Sequence, residues 1–148
     1  MNLLLTDSKH VDFYTYLDQL FEVIPRFQSY NYLVSDLVAP NWTSKDSVTI
    51  SGTDLFQLIT YSKVQFIWGV FSAFTEIPII PSDLPYADGN SSLWKPNSKL
   101  QCVGAEFEIV CWDSGSTLFI GVDEALASDL KSLYPDIQQL DAYLEKYS

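Results

Sequence analysis

Arginine occurs once in this chain, at Arg26, and histidine once, at His10. A lone arginine disfavours phosphate or carboxylate substrates, which enzymes usually grip with bidentate guanidinium groups. A lone histidine leaves any Ser, Cys or Thr nucleophile a single candidate base, and His10 falls in the first turn of a predicted helix, where a solvated or capping residue belongs. Cysteine is almost as scarce. Cys102 and Cys111 form no metal-ligand pattern and have only His10 to help them, so no structural zinc is expected. A bridge between the two is geometrically conceivable, although paired cysteines in a well-cored domain are more often buried free thiols. Ser114-Gly115-Ser116 lacks both the Gly-x-Ser-x-Gly elbow and the Gly-x-x-x-x-Gly-Lys phosphate loop, and a hairpin turn explains it. No cofactor is expected.

Long apolar runs are missing too. No stretch reaches the ~20 residues of a membrane helix. Met1-Asn2-Leu3-Leu4-Leu5-Thr6-Asp7 has neither the basic start nor the apolar length of a signal peptide. A cytoplasmic protein without membrane contact is the expectation.

Positive charge is the last scarcity. Nineteen Asp and Glu stand against eight Lys and Arg, a formal charge of -11. Such a field repels phosphate backbones, which argues against direct nucleic-acid binding, and it speeds encounter with a basic partner. It also serves simply to keep an aromatic-rich chain soluble. The acidity is uneven: residues 1–75 hold seven acids and four bases, and residues 76–148 hold twelve acids and four bases.

What the sequence does contain is enough for one domain spanning residues 1–148. Apolar residues make up 47% and charged residues 18%, far from the composition of disorder. A chain of this length buries roughly 70% of its unfolded surface. Aromatics reach 15%, with four Trp, nine Tyr and nine Phe, more than one core usually needs, so some rings belong at a partly wet contact surface.

Thr6, Asp7 and Ser8 offer N-caps for an amphipathic helix whose apolar face is Phe13, Tyr16, Leu17, Leu20, Phe21 and Ile24, ending at Pro25 and exposing Asp12, Asp18, Gln19 and Glu22. Tyr30 to Val38 reads as a strand, stopped by Ala39-Pro40-Asn41. Ser47 to Ile50 adds short extended structure before Ser51-Gly52-Thr53-Asp54 caps a helix with Leu55, Phe56, Leu58 and Ile59. Val64 to Phe74, apolar almost throughout, reads as a central strand covered on both faces, in which Gly69 points to a bulge or a close backbone approach. Between Glu76 and Leu100 the periodicity stops. This stretch holds Pro78, Pro81, Pro85 and Pro96 with the exposed-looking Tyr86 and Trp94, and long loops of this kind are often functional.

Glu106 to Trp112 and Thr117 to Val122 flank Asp113-Ser114-Gly115-Ser116 as a hairpin. Two helices follow, one opened by Asp123-Glu124 and one by Pro135-Asp136. With Leu3 to Leu5 as a further strand candidate, the fold class is α+β: an antiparallel or mixed sheet of four to five strands with about four helices packed on it.

Glu106 and Glu108 lie two apart on one strand face and are in principle able to divide acid and base roles, but the solvent face of a half-buried strand shows the same alternation opposite Phe107, Ile109 and Cys111. Asp83, Asp88, Asn90 and Ser91 do not have the spacing of a calcium loop. What remains is an association of acids with aromatics: Asp83, Tyr86, Asp88 and Trp94 in the long loop, and Trp112 beside Asp113. A binding surface for a basic protein uses this mixture, aromatic anchors for affinity and carboxylates for steering.

In size, acidity and the course from Phe66-Ile67-Trp68-Gly69-Val70-Phe71 through Glu108-Ile109-Val110-Cys111-Trp112-Asp113 to a helical tail, the chain resembles small bacterial immunity proteins of polymorphic toxin and contact-dependent growth inhibition systems. The resemblance is one of organisation over most of the chain, without a diagnostic motif. It implies a cytoplasmic, non-enzymatic protein that binds a cognate basic toxin domain and occludes its active site, and it assigns no residue a role. Two alternatives stay open: an acidic interaction module or mimic of nucleic-acid charge, and a hydrolase of neutral substrates built on Glu106, Glu108, Asp83 or Asp88.

Overall fold

The computed structural model describes residues 1–11, 15–40, 42 and 46–147. Strand β1 (Leu3–Leu5) leads to helix α1 (Asp18–Val23) and a 3-10 helix (Pro25–Ser29). The hairpin β2 (Asn31–Val38) and β3 (Val48–Ser51) runs into α2 (Gly52–Ser62), followed by β4 (Trp68–Phe74). After a long connection that contains a second 3-10 helix (Ser91–Trp94) come β5 (Phe107–Trp112), β6 (Ser116–Ile120), α3 (Glu124–Leu133), β7 (Gln138–Gln139) and α4 (Leu140–Lys146).

The strands form one sheet in the order β3-β2-β4-β5-β6-β1-β7, with every neighbouring pair antiparallel. The α+β class and four α-helices match the expectation, but the sheet has seven strands rather than four to five. All the extended segments read from the sequence join the sheet, and the strand with no counterpart among them is β7, two glutamines with no intrinsic β preference. Pairing alone holds it: Gln139 faces Leu3 and Gln138 faces Leu4, so the first strand sits between β6 and the last.

Strand alternation sends Tyr32, Val34, Phe71, Ala73, Phe107, Ile109 and Phe119 to one face, where Leu20, Phe21, Phe27, Leu55, Ile59, Leu126 and Leu130 cover them. Phe27 and Tyr30 meet Phe107 edge to face at 5.5 and 5.0 Å. On the opposite face Leu4, Val70, Val110, Leu118 and Ile120 pack against Leu140 of α4 and against Ala87 and Leu93 of the β4–β5 connection. The sheet is therefore covered on both sides, by helices on one and by α4 with irregular chain on the other. Cys111 belongs to the first face, while Cys102 packs with Leu33 and Ala105 on the second; both thiols are free and buried.

Several elements are shorter than periodicity predicts. Among the described residues regular helix begins at Asp18: Ser8 donates to Asp136 at 2.6 Å, the Lys9 amide donates to the same carboxylate, and Tyr16 bridges to Gln65. Asp12 and Phe13 of the expected helix, and Asn41 of the expected strand stop, lie outside the described residues. β4 starts at Trp68 rather than Val64, and Gly69 pairs regularly with Cys111. The sheet's register shift falls on β2 instead, between Ser35 and Val38, where Asp36 adopts a left-handed φ of 51°. The final helix opens at Leu140 rather than after Pro135, since Gln138 and Gln139 are engaged by β1.

Candidate functional site

The connection from Thr75 to Glu106 has little regular structure, so its backbone groups need partners from elsewhere. The sheet face beneath it supplies them. Glu108, fully buried on β5, accepts the Gln101 amide on Oε1 at 2.7 Å, and on Oε2 the Cys102 amide at 3.1 Å and the Ser72 hydroxyl at 2.7 Å. On β2, Ser35 donates to the Pro85 carbonyl at 2.7 Å, and the bulge turns the Asp36 carboxylate to receive the amides of Ala87 and Asp88 at 2.8 and 2.9 Å. The Gln101 side chain then grips the Tyr86 backbone from both sides and accepts from Asn90. A chain of polar contacts thus runs from the sheet to the outer turn of the segment.

This corrects the reading of Glu106 and Glu108 as a solvated strand face. Glu106 is exposed, but Glu108 lies under the segment with its oxygens engaged by three donors. Burial raises its carboxyl above the usual range, and the three hydrogen bonds pull the other way without cancelling that rise.

Outward, the segment displays large apolar side chains. Ile77 is 77% exposed, Ile79 93% and Val103 98%, with Ile80 and Tyr86 about half exposed. Glu76, Asp83, Asp88 and Glu106 are exposed among them. From Val64 to Trp94 the sequence has no Lys, Arg or His. The two ends of the segment lie together, because the Glu106 amide donates to the Ala73 carbonyl at the end of β4, and Gly104 approaches Phe74.

Of the residues singled out from sequence, Asp83, Tyr86 and Asp88 stand on this outer surface. Trp94 is half-buried. It meets Trp112 edge to face at 5.3 Å, and Trp112 meets Trp68 at 5.0 Å, so these tryptophans largely bind the segment to the sheet. The Trp94 indole nitrogen is buried without a hydrogen-bond partner. Asp113 is exposed in the β5–β6 turn with φ of 48°, followed by Ser114 at 59°, as a tight hairpin requires.

Sequence reasoning missed two groups. Ile77, Ile79 and Ile80 carried only the signal of aliphatics set between prolines. Asp141, Leu144, Glu145 and Tyr147 of the tail read as an ordinary amphipathic helix, yet with Trp94 and Pro96 they line a cleft of about 590 Å³. The ring row continues into this cleft: Trp94 lies 6.5 Å from Tyr143, and Tyr143 lies 4.7 Å from Tyr147.

Among the described residues no cluster of three His, Cys, Asp or Glu is placed to hold a metal ion, and no helix is long and apolar enough to cross a membrane. Neither a family model, nor a curated protein, nor a solved structure matches this chain.

Proposed function

We propose that this chain is an immunity protein that binds a cognate basic toxin domain through the outer surface of the Thr75–Glu106 segment and occludes the toxin's active site. The observation that carries the reading is the display of Ile77, Ile79, Ile80, Tyr86 and Val103 among Glu76, Asp83, Asp88 and Glu106 on a segment anchored to the sheet. Exposed apolar groups on a fixed support favour a protein partner. Anchoring lowers the ordering cost of binding, so more of the interface energy appears as affinity. The acids among them select a basic surface and accelerate its approach.

The test is binding to the purified product of the adjacent upstream reading frame at low and high ionic strength, with wild type and with Ile77→Ser/Ile79→Ser/Ile80→Ser. The reading expects capture of that one domain, an association rate that falls with salt, and loss of capture in the variant. Equal capture of several unrelated basic proteins would favour a charge mimic, and unchanged binding by the variant would remove this surface from the interface.

A further inference from the structure

We infer that the cleft between Trp94 and α4 is a binding site for a guanidinium group, the side chain of an arginine presented by a basic protein partner. The identity of that source rests on the proposed reading; the chemistry of the cleft stands on its own residues. Trp94 and Tyr147 give aromatic walls, and Pro96 and Leu144 an apolar lining. Asp141 and Glu145 lie one helical turn apart, which sets both carboxylates on the same side of α4, and both line the cleft. Aromatic faces beside carboxylates suit a planar, weakly hydrated cation that stacks and donates at once, which describes guanidinium better than ammonium.

One aromatic wall already holds a cation. The Lys146 ammonium sits 5.3 Å from the centroid of the Tyr147 ring. Lys146 does not itself line the cleft, but its contact shows that the Tyr147 ring receives a cation and sets a competing positive charge beside the site. Asp141 is fixed from the other side, where it accepts the Asn97 amide at 3.0 Å, so the two walls of the cleft are tied together before any ligand arrives. The site adjoins the Thr75–Glu106 surface through Trp94 and Pro96, which belong to the same segment.

The experiment follows the indole and tyrosine signals by NMR, with the Trp94 indole assigned through Trp94→Phe, while N-acetyl-arginine amide is titrated into the full chain. N-acetyl-citrulline amide, a neutral near-isostere, and N-acetyl-lysine amide serve as comparisons. The expected result is saturable binding of the arginine probe at millimolar concentration, weaker binding of lysine, and none of citrulline. Glu145→Gln and Tyr147→Ala should each weaken the arginine probe roughly two- to fivefold. Lys146→Met should strengthen it by a similar factor, whereas Lys131→Met, which removes the same charge from α3, should not.

Unsaturable shifts, equal responses to arginine and citrulline, or equal effects of the two lysine variants would overturn the inference. Failure of the probe while the basic domain still binds through the isoleucine surface overturns this site alone. Saturable binding of the probe without capture of a basic domain overturns the functional reading alone.

Discussion

The Glu108 carboxylate accepts the Ser72 hydroxyl at 2.7 Å across the β4–β5 pair, with both residues fully buried. Ser72 shares that carboxylate with the Gln101 and Cys102 amides of the covering segment, so the sheet and the segment meet at one acid. Glu108→Ala leaves three donors without a partner. A loss of about 3 kcal/mol or more follows, which for a chain of this length lowers Tm by roughly 6–12 °C. Hydrogen exchange should show residues 76–104 opening more than α2 or α3, and uniform loss of protection would mean that Glu108 supports the whole fold equally.

Glu108 also gives the stability a pH dependence of definite sign. Its folded-state carboxyl titrates above the ordinary value of 4.5, so between that value and its raised folded one the native state binds more protons than the unfolded chain. Its contribution is fully present below the ordinary value and declines as pH rises through the folded one. Glu108→Gln removes the titration at the cost of turning one donor toward another. The stability difference between wild type and this variant, measured by denaturant melts from pH 4 upward, should shift in the variant's favour as pH rises; a flat difference would mean that Glu108 titrates alike in both states.

The anchoring acid was visible in the sequence, but its role was not. Alternation through Phe107, Glu108, Ile109, Val110 and Cys111 correctly marks a strand, and the turn chemistry of Asp113 to Ser116 correctly joins it to the next. Alternation does not say what covers the polar face. Glu108 looks like part of a solvated surface because two of its three donors are backbone amides of an irregular segment, which has no periodicity to read. The same limit hid β7, where Gln138 and Gln139 are strand only because Leu3 and Leu4 lie beside them, and shortened the first helix, whose expected cap Ser8 is taken by Asp136.

Asp123 performs two tasks at the start of α3. It caps the helix by accepting the Leu126 amide at 2.8 Å, and its two oxygens take the Arg26 guanidinium at 3.0 and 2.6 Å. The arginine, then the helix amide, hold this carboxyl down at about 2, so the stability it contributes is present above the ordinary value of 3.8 and lost as pH falls toward 2. Both side chains are substantially exposed, so the ion pair itself adds no more than about 1 kcal/mol. Asp123→Ala loses cap and pair, about 1–2 kcal/mol, while Asp123→Asn retains most of the cap. Thermal melts at pH 7 should rank wild type above Asn above Ala, and equal values for Asn and Ala would assign the whole effect to the pair.

Gly52 joins β3 to α2 where the chain passes directly over the 3-10 helix. A Cβ built on it would stand 2.5 Å from the Gln28 carbonyl oxygen and 2.8 Å from that of Tyr30, to which the Gly52 amide already donates. The obstacle is backbone, which a side-chain rotation cannot move. Gly52→Ala should cost about 1–3 kcal/mol despite the better helix propensity of alanine, seen as a lower denaturation midpoint with an unchanged m-value. A neutral or stabilised variant would mean that this approach relaxes freely.

The isoleucines of the outer surface make the opposite prediction, because little in the fold depends on them. Ile79 is 93% exposed and Ile77 77%, so replacing them with serine exposes almost no new core and leaves no buried cavity. Surface substitutions of this kind change stability by about 0.5 kcal/mol or less each. Ile77→Ser/Ile79→Ser/Ile80→Ser should therefore melt within a few degrees of wild type, roughly 2–4 °C per kcal/mol, while its retention on a hydrophobic column falls. Leu93→Ser gives the contrast: Leu93 is buried against the sheet beside Val110 and Leu118, and the same chemical change there should destabilise by several kcal/mol. A surface that loses its apolar character at no cost to folding is one whose isoleucines are free to serve a partner, and a steep drop in the triple variant's melting temperature would instead assign them to the packing of the segment itself.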